Sequence, residues 1–197
     1  MNPTAAPLGR RERNKLEKRE RILAAASDLF AERGVDEVTT QEIAERADIG
    51  SGTLFLYAKS KGELLLMVQN AHYADALERG IAQADGSPDT LEAVLAIVRP
   101  VVACNRLQVD NGRTYLREMA FGDPTEPHHA AALAISARTE EAIAAVLARS
   151  SPADAAARAR VVSAVMFLAM AGATDPSRTT DEVVEDIRRQ LEVIVRS

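Results

Sequence analysis

The sequence predicts an all-α protein of about nine helices, and three observations support this prediction. Apolar residues make up 47% of the 197 residues, whereas aromatic residues make up only 4%. Alanine and leucine are frequent and β-branched residues occur in short runs, a composition that favours helices. Apolar residues recur at spacings of three and four in segment after segment, without the alternation of a strand. The chain is long enough to bury a substantial helical core.

Helix signals divide the first part of the chain into four helices. Gly34 is placed to end the first helix in a left-handed conformation. Thr39 with Glu42, and Ser60 with Glu63, have the spacing of capping boxes that open the second and fourth helices. The predicted helices cover about residues 15–33, 40–47, 51–57 and 61–79.

Five further helices are predicted in the second part of the chain. Ser87-Pro88 suits an N-cap and first helical position, and Pro100 lies inside the helix that follows. Thr179 with Glu182 forms a third capping box. These helices cover about residues 88–107, 114–121, 127–149, 152–173 and 180–195.

Charge is distributed unevenly along the chain. The net charge is −5, yet residues 10–21 hold seven basic residues against three acidic ones. Residues 1–66 balance at eleven bases and eleven acids, so residues 67–197 carry the whole net negative charge. The basic run is either a solvated helix face or a surface that docks on phosphates.

The sequence predicts a soluble protein in the cytoplasm. Cys104 is the only cysteine and cannot form an intramolecular disulfide, which favours a reducing compartment. No apolar run reaches the roughly 18 residues of a membrane span, and residues 1–9 lack the apolar core of a secretory signal. We therefore expect no membrane partner.

Catalytic and metal-binding signals are weak. No nucleophile motif, glycine-rich phosphate loop or metal-spaced cluster occurs in the sequence. His128 and His129 are adjacent, so on a helix they point about 100° apart and chelate one ion poorly. We expect neither an enzyme nor a metal or other cofactor.

Two stretches of the N-terminal region resemble the TetR family of transcription regulators. They are TTQEIAERADIGSGTLFLY at residues 39–57, followed by Ser60-Lys61 and Leu64, and RILAAA at 21–26 with LFAERG at 29–34. The resemblance covers about residues 15–70. It implies a helix-turn-helix in which the third helix enters the major groove.

Three positions depart from the family pattern. The family usually has a small polar residue at Gly50 and a tyrosine at Phe55, and often has His-Phe where this chain has Tyr57-Ala58. These differences affect individual DNA contacts.

The resemblance implies a set of DNA-contacting residues and a division of the chain. Thr40, Tyr57 and Lys61 are expected to bind phosphate, whereas Phe55 and Leu56 could contact thymine methyl groups. The complete expected set is Thr40, Gly50, Ser51, Gly52, Thr53, Phe55, Leu56, Tyr57 and Lys61. Residues 1–14 are interpreted as a basic flexible arm, 15–62 as the DNA-binding domain, and 63–197 as a helical domain that binds an effector and dimerises.

Apolar stripes on the last two helices are the candidate dimer interface. Packed with their copies, they would form a four-helix bundle; alternatively, both stripes face the protomer core. The candidates are Val161, Ala164, Val165 and Leu168 in one helix, with Val184, Ile187, Leu191 and Ile194 in the other.

Bulky and polar side chains among apolar helices are the candidates for a ligand pocket. Methionine and aromatic side chains adapt to irregular ligands, although at helical spacing they also form plain core. The candidates are Cys104, Tyr115, Arg117, Met119, Phe121, Met166 and Met170.

The leading hypothesis is a homodimeric repressor that binds double-stranded operator DNA and releases it when a small-molecule effector binds. Two alternatives stay open. One is an all-helical small-molecule-binding protein or enzyme without a DNA role, and the other is a transcriptional activator.

Overall fold

A computed structural model describes residues 9–195, which form nine α-helices and, within that range, no strand. The predicted all-α fold is confirmed. The helices are α1 (Arg10–Arg33), α2 (Thr40–Arg46), α3 (Ser51–Leu54), α4 (Lys61–Asp85), α5 (Thr90–Arg106), α6 (Val109–Phe121), α7 (Pro127–Ala148), α8 (Ala155–Gly172) and α9 (Thr180–Val195).

The N-terminal arm is helical where the structure describes it. Residues 10–14 belong to α1, so their prediction as a flexible arm is wrong, whereas residues 1–8 lie outside the described part of the chain. The run after Gly9 contains no glycine or proline that would stop a helix, and α1 therefore extends five residues further than the apolar pattern indicated.

Several other helix ends differ from the predicted ones. α5 begins after Asp89, whose carboxylate accepts a hydrogen bond from Glu92 N at 2.9 Å, so Ser87-Pro88 is not its cap. Pro100 does lie inside α5. α6 begins at Val109, because the Gln108 side chain caps it by accepting from Asn111 N at 2.7 Å.

Helix α4 connects the two ends of the molecule. It packs against α1 on one side and against α5, α6 and α7 on the other sides. It crosses the predicted domain boundary between residues 62 and 63 without a break. Gly80 allows α4 and α5 to approach closely, since a Cβ there would lie 2.8 Å from Ile97 Cα. The packing of α7, α8 and α9 around this pair completes the core.

The apolar stripe of α9 faces the protomer core. Val184, Ile187 and Leu191 are all at most 1% exposed, and α9 packs on α5 and α8. Their assignment to a dimer interface is therefore wrong, because a side chain already enclosed by its own protomer cannot contact a partner. Ile194 at the end of the same stripe is half-buried.

The stripe of α8 is different, because much of it is exposed. Val161 is 47% and Leu168 is 69% exposed; Ala164 is exposed as well, and Val165 is half-buried. In the described part of α9, Val193 is the large apolar side chain that is exposed, at 75%. The outer face of α8 is therefore apolar and uncovered within the described chain.

Helix α8 is also long and apolar enough, by length and composition, to cross a membrane. The helix is not one uninterrupted apolar run, because Arg158 and Arg160 lie in its first turns. Core helices of soluble proteins pass the same test. One of the arginines, Arg158, ties α8 to α9 by donating to the carbonyls of Ile194 and Val195 at 2.6 to 3.0 Å.

Candidate nucleic-acid interface and ligand cavity

A reciprocal capping box fixes the start of α2. Thr39 Oγ1 accepts a hydrogen bond from Glu42 N at 3.2 Å, and Glu42 Oε2 accepts one from Thr39 N at 2.8 Å. These bonds, with help from Arg33, lower the pKa of Glu42 to about 2. The sequence prediction of this cap is confirmed.

The turn between α2 and α3 is built on Asp48 and not on Gly50. Asp48 has a φ of +52°, in the left-handed region, whereas Gly50 is extended and precedes α3 as its N-cap. Arg21 of α1 holds this turn by donating to the carbonyl and carboxylate of Asp48, both at 3.3 Å. The turn is therefore anchored to the first helix.

The outer face of α3 is open. Ser51, Gly50 and Gly52 are exposed, and a Cβ built on either glycine would meet no atom within 4 Å. α3 ends at Leu54, which is buried, so the predicted helix to residue 57 is too long. In the turn that follows, Phe55 is 46% and Leu56 is 83% exposed. Thr53 is half-buried beside this face.

Three of the predicted phosphate-binding side chains flank this face, and two of them already have partners in the protein. Tyr57 donates its hydroxyl to the Lys15 carbonyl at 3.3 Å. Lys61 Nζ donates to the carbonyls of Asp36 and Val38 at 3.3 and 3.2 Å, which ties the α1–α2 connector to the start of α4. Thr40, half-buried, is the first residue of α2.

A basic groove beside α3 adds residues that the predicted contact set did not contain. Arg11, Lys15 and Lys18 of α1 line a groove that Thr53, Leu56 and Tyr57 close on the other side. Within residues 9–195 none of these three cations forms an ion pair. The neighbouring Arg21, Arg33 and Arg46 all pair with carboxylates of the same region. Positive charge available to a ligand is therefore concentrated where α1 passes α3.

The second candidate site is a cavity in the C-terminal part of the molecule. It has a volume of about 510 Å³ including its open mouth. The structure brings four predicted residues together in its wall: Tyr115, Met119, Met166 and Met170. The lining residues that complete the wall are Tyr73, Val101, Leu116, Ala132, Ile135, Ser136, Thr139, Ser163 and Phe167.

Three predicted pocket residues lie elsewhere. Phe121 is 86% exposed, because α6 ends there and the chain turns away. Arg117 points to the surface and pairs with Glu118 at 3.2 Å. Cys104 is buried beside a separate depression near Arg79, and burial raises its pKa to about 11, so it remains a thiol.

A chain of hydrogen bonds runs from the cavity wall to the end of α3. Tyr115 donates its hydroxyl to Asn70 Oδ1 at 2.8 Å, and Asn70 Nδ2 donates to the His128 carbonyl at 2.9 Å. His128 Nε2 then donates to the Tyr57 carbonyl at 2.9 Å. Side chains of α6, α4 and α7 thus connect the cavity with the turn that follows α3.

Glu63 fastens the start of α7 to the start of α4. Ser60 Oγ accepts from Glu63 N at 3.0 Å, but the Glu63 carboxylate accepts from His128 N and His129 N at 3.2 and 3.1 Å. The predicted second capping box is therefore only half formed. Burial raises the pKa of Glu63, against the lowering effect of these N–H groups. His129 Nε2 donates to the Met119 carbonyl at 3.0 Å, adjoining the cavity.

Asn111 is a second link from α6, here to the end of α1 and the connector that follows it. Its side chain, 2% exposed, donates to the Phe30 carbonyl at 2.8 Å and accepts from Val35 N at 2.7 Å. It thereby satisfies backbone groups at the end of α1. Nothing in the sequence pointed to this role, because the partners lie 76 and 81 residues away.

The described residues contain no group of three or more histidine, cysteine or acidic side chains that could hold a metal ion. His128 and His129 are engaged instead in the hydrogen bonds given above.

Comparison with known proteins agrees with this geometry. Residues 22–68 match the family described as bacterial regulatory proteins, tetR family. Over 79 residues the chain is 39% identical to the HTH-type transcriptional activator FasR of Mycolicibacterium smegmatis, which is 39% of this chain and 36% of that protein. It is 36% identical over 63 residues to the HTH-type transcriptional regulator YuxN of Bacillus subtilis, 32% of this chain and 22% of that protein. The chain thus spans about a third or less of the length of these relatives.

Solved structures share the fold over nearly the whole chain. FadR of Thermus thermophilus, a TetR-family transcriptional repressor solved with lauroyl-CoA, superposes with a TM-score of 0.69 and 24% identity. The alignment covers 89% of this chain and 92% of FadR. A TetR transcriptional regulator from Rhodococcus sp. RHA1 gives a TM-score of 0.72 with 16% identity, covering 92% and 97%.

Proposed function

We propose that this protein is a ligand-responsive repressor of the TetR family. Residues 22–68 match the tetR family of bacterial regulatory proteins, and nearly the whole chain shares the fold of solved TetR-family regulators. In this proposal it binds operator DNA in the cytoplasm as a homodimer. A small molecule in the cavity causes release.

The single observation that carries the DNA-binding proposal is the pairing of an open α3 face with the basic groove of α1. The α3 face offers hydroxyls at Ser51 and Thr53 and close backbone approach at Gly50 and Gly52. Beside it lie Arg11, Lys15 and Lys18, which can neutralise phosphates. In the major groove, exposed Phe55 and Leu56 would contact thymine methyl groups.

Phosphate contacts in this proposal come from both sides of α3. Thr40 lies at the start of α2, where the backbone N–H groups and the helix dipole favour an anion. Tyr57 and Lys61 can bind phosphate by exchanging their present carbonyl partners or by using their remaining hydrogen-bonding capacity. The α1 lysines would bind the backbone across the groove.

Selection from random-sequence duplex DNA by the full-length protein tests DNA binding. We expect one enriched motif with two half-sites about one helical turn apart, bound with an affinity that falls steeply as salt rises. Weak binding that does not distinguish the selected DNA from random DNA would contradict the proposal. That result would favour an all-helical carrier or enzyme in which the N-terminal helices serve as scaffold.

The proposed dimer uses the outer face of α8. The exposed residues Val161, Ala164 and Leu168, with half-buried Val165, form an apolar strip along this face. Pairing this strip with its copy would bury exposed apolar surface. The dimer would then present two copies of the DNA-binding helices α1–α3. The interface is thus narrower than the two stripes predicted from sequence.

Coupling between the cavity and DNA is proposed to follow the hydrogen-bond chain Tyr115–Asn70–His128–Tyr57. Helix α6 carries both a cavity wall, through Tyr115 and Met119, and the Asn111 anchor on α1. A ligand that displaces α6 would therefore disturb both the end of α1 and the turn that follows α3. For the protein to release DNA, the ligand must bind more tightly to the conformation that does not bind DNA.

The sign of regulation is a separate question, because the relative FasR is named a transcriptional activator. We propose repression. A reporter gene placed behind the selected DNA motif tests it: expression should fall when the protein is supplied. A rise in expression would make the chain an activator with the same DNA surface.

A further inference from the structure

Ser163 places an unused hydrogen-bonding group in the wall of the cavity. Its Oγ is buried and, within the described chain, has no hydrogen-bond partner. Buried hydroxyl groups in folded proteins almost always have a partner, and each exception calls for an explanation. A bound molecule that supplies the partner is one such explanation.

The other polar groups of the cavity are already engaged or solvated. Tyr115 donates to Asn70 at 2.8 Å, and the Tyr73 hydroxyl accepts from Asn105 at 2.9 Å. Thr139 donates to the Ile135 carbonyl at 2.9 Å. Ser136 is exposed, so water satisfies it. Among the buried hydroxyls of the described lining, Ser163 Oγ is therefore the one that forms no hydrogen bond.

Charge is missing from the lining. All the residues that line the cavity within residues 9–195 are uncharged, and burial raises the pKa of both tyrosines, which keeps them as neutral phenols. An ionised group brought into this site would lose its hydration and find no opposite charge. The cavity thus disfavours carboxylates, phosphates and ammonium groups.

Size and shape narrow the ligand further. The volume of about 510 Å³ includes solvent at the open mouth, so the enclosed part of the cavity is smaller and suits a slender ligand. Half-buried Met119, Ile135 and Phe167, together with exposed Ser136, mark the mouth, and Met166 and Met170 lie deeper. Methionine side chains can adjust to an irregular apolar ligand.

We propose that the cavity binds an uncharged, mainly apolar small molecule with one hydroxyl or carbonyl oxygen that forms a hydrogen bond with Ser163 Oγ. This inference rests on the ligand response proposed above and names the chemistry of its effector.

The test uses three probes that share one alkyl chain and differ in the head group: decanol, decanoate and decyltrimethylammonium. Each is titrated calorimetrically into the full-length protein below its aggregation concentration. We expect decanol to bind and both ions to bind at least roughly tenfold more weakly, because their charge must be desolvated. Failure of decanol to bind, or equal or tighter binding of either ion, would overturn the proposal.

Variants of two serines in the same cavity test the role of Ser163. We expect Ser163→Ala to weaken decanol binding about fivefold, the value of one net hydrogen bond. The matched control Ser136→Ala removes a hydroxyl that water already satisfies and should change affinity less than about twofold. Unchanged affinity in Ser163→Ala, with a normal unfolding curve, would overturn the assignment of Ser163.

DNA binding is measured separately, so the two proposals can fail separately. Decanol that binds through Ser163 but leaves DNA affinity unchanged supports the ligand chemistry and contradicts the ligand response. DNA release caused by decanoate and not by decanol supports the ligand response and contradicts the uncharged ligand chemistry.

Discussion

The reading head, α1–α3, and the C-terminal body, α4–α9, are held together by contacts of very different sequence range. In the head, Thr39 and Glu42 cap α2 from three residues apart. In the body, the bonds Tyr115–Asn70 and Asn70–His128 join residues 45 and 58 positions apart, and the bond His128–Tyr57 reaches 71 positions back to the turn after α3. The head therefore follows from local patterns, whereas the polar framework of the body depends on the complete fold.

The two regions also differ in where their candidate functional groups lie. The head presents its candidate groups to solvent, including a Leu56 that is 83% exposed. The body encloses its candidate groups, including the buried hydroxyl of Ser163. Substitutions on the head surface should thus change binding with little effect on folding, whereas those in the body should change folding as well.

The largest expected effect comes from α9. Ile187 is fully buried, so Ile187→Ala should lower the free energy of unfolding by about 3 kcal/mol through loss of packing. Urea denaturation at several protein concentrations measures this. Leu168→Glu on the exposed face of α8 is the contrast: it should yield folded monomers in analytical ultracentrifugation. A stable Ile187→Ala protein together with a dimeric Leu168→Glu protein would restore the α9 stripe as the interface.

Next is Asn111, the link between α6 and the end of α1. Asn111→Leu leaves the buried Val35 N–H without its partner and removes one of two hydrogen bonds to the Phe30 carbonyl, which keeps the Gly34 N–H. It should cost about 2 kcal/mol of unfolding free energy. Thr39→Ala, which removes a local cap in the head, should cost about 1 kcal/mol. Denaturant titration of both variants checks the order, and a larger loss in Thr39→Ala would contradict it.

A smaller free-energy change, confined to DNA binding, is expected at Gly52. Gly52→Ala should keep or slightly raise stability, because nothing lies within 4 Å of the added methyl and alanine favours a helix. Its DNA affinity should nevertheless fall about tenfold, or about 1.4 kcal/mol, because the methyl intrudes on the interface. Fluorescence anisotropy with the selected duplex measures it, with Gly86→Ala as the control far from α3. Normal DNA affinity in Gly52→Ala would move the interface elsewhere.

The smallest effects concern pH and have opposite signs in the two regions. The pKa of Glu42 is lowered to about 2, so its contribution to stability is present above pH 4.5 and is lost as pH falls toward 2. The pKa of Glu63 is raised, so its contribution is present below pH 4.5 and is lost as pH rises through the folded-state value. Unfolding curves of Glu42→Gln and Glu63→Gln across this range should deviate from the parent in opposite directions. Deviations of the same sign would contradict the burial of Glu63.

The features that could be predicted from the sequence are those set by local contacts, as in α1–α3. The α2 cap, the turn near Asp48 and the helical class were predictable, because spacing within one or two turns determines them. The length of α1 was not, since a run of mixed charges carries no stop signal. The apolar period of α9 showed that Ile187 lies on a buried face, but period alone does not tell a protomer core from a dimer interface.

Pocket residues show the same limit. Tyr115, Met119, Met166 and Met170 do line the cavity, yet Phe121 of the same helix is exposed because it lies at the helix end. No pattern in the sequence marks Ser163 as a binding residue. Its significance depends on a missing partner, which only the folded structure can show.

The central claim, that the Asn70 hydrogen bonds couple the cavity to the DNA surface, is tested most directly by measuring DNA affinity with and without saturating decanol. The parent protein is compared with Asn70→Leu and with the control Asn105→Leu, which removes a buried amide bonded to Tyr73 only. We expect decanol to weaken DNA binding roughly tenfold or more in the parent and in Asn105→Leu. In Asn70→Leu the change should be less than about twofold, although decanol still binds. Full release of DNA by decanol in Asn70→Leu would contradict the claim.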